Sequence, residues 1–166
     1  MRIIQGRLLM ILINFFKKSL VSPLLNLLKQ GITPDKLALS VGLGVSLGIF
    51  PVIGATTILC TAFGFLFRVN QVAIQLVNYF AYPLQLILFI PFFHLGAWLF
   101  QTEPLPFSVE QIFTMLAKDT LGTIEALWLA NARAVVAWLL VGPILSFAFY
   151  RILTPVFARF APTPSA

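Results

Sequence analysis

The chain has 166 residues and a formal net charge of +6, with hydrophobic residues at 60% and charged residues at only 10%. Ordinary soluble domains carry about 25% charged residues, so the composition places this chain outside that class and predicts an integral membrane protein. The basic residues are spread along the chain rather than clustered, which favours membrane orientation and lipid contact over nucleic-acid binding.

Cys60 is the sole cysteine, so no internal disulfide can form. With a single histidine beside it, too few ligands remain for a zinc site, and no metal or cofactor is expected. The first apolar run, residues 8–16, leads into Lys17-Lys18 and lacks a small-residue cleavage site, so no cleavable signal peptide is expected.

Residues 1–32 read as a basic interfacial region built from two amphipathic helices. The first covers about 3–20, and its charge-free core is too short to cross a bilayer. The second starts at Ser22-Pro23 and stops at Lys29-Gln30-Gly31. Basic helices without acids lie in the headgroup plane on the cytoplasmic side; packing on another subunit is the alternative.

Residues 33–160 form the expected membrane domain. Thr33-Pro34-Asp35 is a helix start: a hydroxyl cap, proline in the first turn, then an acid. After Lys36 no formal charge follows until Arg68. A straight helix over that stretch would reach roughly 46 Å, against a hydrocarbon core of about 30 Å. Pro51 and Gly54 offer a break. The predicted arrangement is a pair of shorter helices meeting inside the membrane as a re-entrant hairpin, with a single kinked, tilted crossing as the rival. Ser40, Gly44 and Gly48 share one helical face and predict close helix packing.

Residues 69–102 are again uncharged and again hold a central proline, Pro83. The two stretches read as a loose repeat of helix, proline break, helix. Gln71, Gln75, Asn78 and Tyr82 follow helical spacing and form one polar stripe. Such a stripe at membrane depth faces protein or water. It serves either as interhelical hydrogen bonding or as the wall of a polar groove.

Residues 103–133 hold four acids and two bases and read as an interfacial amphipathic segment on the external side, with a capping box at Ser108 and Gln111. Residues 134–150 predict a helix returning to the cytoplasm. The tail, residues 161–166, reads as disordered. The fold class expected is all-α: a polytopic α-helical membrane protein with proline-broken, re-entrant helices and amphipathic interfacial helices.

The membrane-depth stretches contain no Asp, Glu or Lys, and His94 stands alone near an interface. Acid–base or nucleophilic catalysis lacks its groups, so the chain is not expected to be an enzyme. A binding site is conceivable where the second half-helix starts, at Thr56 and Thr57. Unpaired N–H groups and a partial positive charge there suit a phosphate or an anionic headgroup. The alternative is that a threonine simply caps its own helix. Gln75 and Asn78 are candidate groove residues, and Arg68 is a candidate ligand clamp or an interfacial anchor.

Pro34-Asp35-Lys36-Leu37-Ala38, the run from Gly44 through Gly48, Pro51 and Gly54 to Thr57, then Arg68-Val69-Asn70, Pro83 and Gly96, together resemble the bacterial membrane family of domain of unknown function 2062. The family usually has Asn before the proline where this chain has Tyr82, and a hydroxyl residue where it has Gln85. The resemblance implies a small prokaryotic integral membrane protein with no settled biochemical activity. With the basic, acid-free residues up to Lys29, the expected location is the inner membrane, multi-pass, with the N-terminus cytoplasmic. Partners expected are the lipid bilayer, an anionic lipid or small solute, and a second copy or a membrane enzyme such as a glycosyltransferase, which the protein would anchor or assist.

Overall fold

The protein is described by a computed structural model over residues 7, 10, 11, 14, 15, 17–104 and 109–161. Among these, every regular element is helical. A π-helical turn at Lys17–Val21 leads into α1 (Ser22–Lys29), α2 (Pro34–Gly48), α3 (Thr56–Leu66), α4 (Gln71–Leu99), α5 (Val109–Lys118) and α6 (Thr120–Ala158). Half of the first predicted helix, Ser108 of the capping box, and residues 162–166 of the tail lie outside the described residues.

Local chemistry sets the helix ends. The Thr33 hydroxyl accepts from the Lys36 N–H, as its sequence context predicts. α2 stops at Gly48 because Pro51 has no N–H to offer the preceding turn. The chain then turns through Gly54, whose φ of +88° is a conformation that other residues enter only with strain. α3 closes with Val69 N–H donating to the Gly64 carbonyl at 3.0 Å across Arg68, which sits at φ +50°. Asn70 caps α4 by accepting from Ala73 N–H at 2.8 Å. Asn70→Ala should therefore lower stability by about 1 kcal/mol, read as a fall in melting temperature that Asn70→Asp largely escapes.

The second long stretch differs from its expected break. α4 runs unbroken from Gln71 to Leu99 with Pro83 and Pro91 inside it. Each proline removes one backbone bond, yet no glycine lies between residues 76 and 90 to supply a reversing conformation. Proline alone is tolerated where neighbouring helices hold the rest of the ladder. The loose repeat is thus absent from the backbone: residues 34–66 are broken and residues 71–99 are not. α6 likewise starts well before residue 134, capped by Asp119, whose Oδ1 accepts from Gly122 N–H at 3.0 Å.

α2 is the centre of the packing. Two stripes of small residues let it lie between α4 and α6. Gly44 and Gly48 meet Ile74, Val77 and Ala81 of α4, while Gly42 meets the backbone of Ser146 in α6. Ser46 Oγ donates to the Gly142 carbonyl at 2.7 Å, and Trp138 Nε1 donates to the Ser46 carbonyl at 2.8 Å. α3 folds back along α2, since Lys36 Nζ at the start of α2 donates to the Phe67 carbonyl at the end of α3 at 3.0 Å. The Ser40 hydroxyl accepts from Asn70 N–H at the same end. α2 and α3 thus form an antiparallel hairpin with a base and a tip, and α1 packs its buried leucines against the base.

Two helices, α4 and α6, are long and apolar enough to cross a membrane by length and composition. The hairpin arms are shorter: α2 has 15 residues and α3 has 11, roughly 22 and 16 Å of helix.

Candidate functional site

The tip of the hairpin is anchored on both long helices. Gln85, 1% exposed, donates Nε2 to the Phe50 carbonyl at 2.7 Å. Gln85 is the middle residue of α4, with residues 71–84 before it and 86–99 after it. On the other side the Phe50 ring meets Trp138 edge-on, centroids 4.9 Å apart, and Trp138 is one residue from the middle of α6. The tip is therefore level with the midpoints of both helices. The Oε1 of Gln85 is buried with no partner among the described residues.

α3 starts beside this tip. Its cap residue is Ala55, which has no side-chain hydrogen bond to give. Thr56 and Thr57 are already helical, one and two positions past the cap, so neither threonine caps its own helix. The first amides of α3 lack partners within the helix and carry its positive dipole end. Thr56 is buried and Thr57 is exposed.

The polar stripe of α4 turns toward α3. Gln75 Nε2 donates to the Thr57 carbonyl at 3.1 Å and to Thr61 Oγ1 at 2.8 Å. Asn78 Nδ2 donates to Gln75 Oε1 at 3.3 Å and reaches Thr57 Oγ1 at 3.5 Å. Gln71 Nε2 donates to the Thr61 carbonyl at 3.1 Å. Thr57, Gln75 and Asn78 are thus brought together, with Thr56 beside them. Arg68 is not: it lies at the far end of α3, about 16 Å along the helix from Thr57. Tyr82, which shares the stripe by spacing, is exposed.

Spacing along the chain does not single out Thr61, Gln85, Ser46 or Trp138 for these contacts. Thr61 carries a usable signal all the same. Thr57 and Thr61 are four apart, as are Gln71 and Gln75, so two helices with matched spacing can pair hydroxyl and carbonyl acceptors against amide donors.

Charge divides sharply along the bundle. Lys17, Lys18, Lys29, Lys36, Arg68, Arg151 and Arg159 belong to the base end, where Asp35 is the one acid among the described residues. Beyond the tip lie Glu103, Glu110, Asp119 and Glu125 with Lys118 and Arg133. A cavity of about 250 Å³ there is lined by Glu103 and Arg133 together with apolar residues of α4 and α6.

A model of the family described as an uncharacterised protein conserved in bacteria (DUF2062) matches residues 17–161. No curated protein and no solved structure matches the chain. The match runs from the turn before α1 to three residues past the end of α6, and the chain belongs to this bacterial DUF2062 family.

Proposed function

We propose that this is a multi-pass protein of the bacterial inner membrane whose α2–α3 hairpin is re-entrant. It enters from the cytoplasmic side, turns within the bilayer and returns. The observation that carries this reading is the level of the tip, held by Gln85 and Trp138 near the middle of two helices that are long and apolar enough to cross a membrane. Burial supports it. Only 33% of the most apolar window of α4 and 22% of that of α6 is buried, whereas the core helix of a soluble protein is covered along most of its length. The cationic base end sets the orientation, since Lys and Arg mark the cytoplasmic face. A turn of irregular backbone at membrane depth needs protein around it: Pro51 is buried, whereas Ile53 and Gly54 are exposed and nothing lies within 4 Å of a Cβ built on Gly54, so this chain shelters only the first residue of the turn.

Within that frame the protein binds rather than transforms, handling a small solute or an anionic lipid headgroup at the start of α3. Its uncapped amides, the exposed Thr57, and the Gln75 and Asn78 amides form the contact set. A second reading is favoured by one specific observation: the amides of Gln71, Gln75 and Asn78 already bond α3 and each other. In that reading the stripe locks the hairpin, and the protein anchors or assists an envelope enzyme.

One set of variants separates the two. Thr57→Val, Gln75→Leu and Asn78→Leu are each compared for folding and for solute flux or lipid scrambling in proteoliposomes. Binding predicts at least tenfold loss of flux in the chain that stays folded, beyond the fall in melting temperature that the lost bonds cause in either reading. Locking alone predicts a lower melting temperature, about 1 kcal/mol per lost bond, and no flux to lose. Topology is checked after Cys60→Ala by introducing cysteines at Lys36 and Arg68. Labelling of both from one face supports the hairpin, and labelling from opposite faces rules it out.

A further inference from the structure

α3 and α6 both lie against α2 and are held apart by it. The gap is an apolar cleft of about 340 Å³, floored by Leu39 and Leu43 and walled by Phe63, Phe67, Trp138 and Phe147. Its base end is cationic. Lys36 is three residues before Leu39 and so shares its face of α2, and its Nζ donates to the carbonyl of Phe67, a wall residue. Arg68 follows directly. Its φ of +50° lies in the region where glycine is less strained, so a cation is held there against a conformational cost. Asp35, the one acid among the described residues at this end, accepts the Tyr150 hydroxyl at 3.4 Å, and Lys36 and Arg68 outnumber it.

We propose that this cleft holds one acyl chain of an anionic phospholipid of the cytoplasmic leaflet, with its phosphate at Lys36 and Arg68. The proposal rests on the membrane placement given above and not on a guest at the hairpin tip. Apolar contact alone selects nothing in a bilayer, because lipid tails are as apolar as leucine. Selection comes from the headgroup, and each Lys or Arg near the surface favours an anionic lipid. A partner helix would fill the same cleft but makes no use of two cations at its mouth.

The test uses Trp138 as reporter. Of the three tryptophans, Trp98 and Trp128 are 75% and 74% exposed, so W98F and W128F together leave the cleft residue alone at little cost to folding. That chain is placed in phosphatidylcholine vesicles containing either acyl-brominated phosphatidylglycerol or acyl-brominated phosphatidylcholine, and bromine quenches the tryptophan on contact. The expected result is half-quenching at an anionic fraction about fivefold lower for each cation engaged. R68G, which relieves the left-handed strain, combined with K36Q should abolish the preference in a folded chain. Equal quenching by the two lipids in the parent overturns the proposal. So does absence of quenching by either, the outcome for a cleft filled by protein. A W98F W128F W138F I144W chain carries its tryptophan on the exposed face of α6 within the charge-free run, at a position 69% exposed. If it escapes both brominated lipids, the membrane placement has failed and the proposal falls with it; equal quenching by both keeps the placement and leaves the Trp138 comparison decisive.

Discussion

Gly42→Val should unfold the bundle or lower its melting temperature by well over 5 °C. A Cβ built on Gly42 falls 2.6 Å from the Ser146 carbonyl oxygen of α6. That neighbour is backbone and cannot swing aside, so α2 and α6 must separate. Overpacking of a close interface costs about 1–3 kcal/mol for small additions, and valine adds three carbons at this point. Helix propensity acts in the opposite sense, but relief of a helical glycine is worth at most about 1 kcal/mol. Steric cost therefore wins. Each kcal/mol lowers the melting temperature by roughly 2–4 °C in a chain of this size. Ala62→Val, on the exposed side of α3, serves as the control and should stay within about 0.5 kcal/mol. An unchanged melting temperature for Gly42→Val would mean that α2 and α6 are not packed as described.

That interface shows which parts of the fold a sequence can reveal. Ser40, Gly44 and Gly48 announce a packing face because they repeat every four residues, and Gly44 and Gly48 indeed lie on α4. Gly42 and Ser46 share the same spacing but make a shorter stripe, and the structure shows that they form a second face against α6. One helix with two small-residue stripes is a helix between two others. The hairpin break is legible because Pro51 and Gly54 act together, one ending a ladder and the other supplying a positive φ. Pro83 lacks such a companion, and reading a break from proline alone overstates its effect. The start of α6 is hidden for a related reason. Formal charges between residues 118 and 133 mark where apolar character falls, but a helix ends where its backbone bonds end. The site residues are only partly legible. Spacing along one helix places Gln75 and Asn78 on a common face, while the partner Thr61 depends on how far α3 slides along α4, which no single-helix pattern encodes. Charge alone makes Arg68 a candidate beside Thr57, and the direction of α3 sets them apart.

Trp138→Ala should cost about 3–5 kcal/mol, the range for deleting a buried aromatic. Its ring is 6% exposed and fills the space between Phe50, Gly142 and α2. The hairpin tip has two anchors, and magnitudes decide between them. Gln85 contributes one hydrogen bond, typically worth about 0.5–1.5 kcal/mol net, and part of that is offset by its buried, unpartnered Oε1. Trp138 stabilises the tip more strongly, because it fills volume and also donates to the Ser46 carbonyl. Trp138→Phe separates these contributions. It keeps most of the ring contact with Phe50 and removes the indole donor, so it should lose about 1–2 kcal/mol, the order expected for leaving the Ser46 carbonyl without that donor. Trp128→Ala provides the comparison within the same helix. Its ring is exposed, and the change should stay within about 0.5 kcal/mol in detergent. Melting temperatures of the three variants give the order Trp138→Ala far below Trp138→Phe, with Trp128→Ala near the parent. If Trp138→Ala and Trp128→Ala fall together, the tip is not seated on α6. Its level near the middle of the long helices, on which the proposal of a re-entrant hairpin stands, would then rest on Gln85 alone.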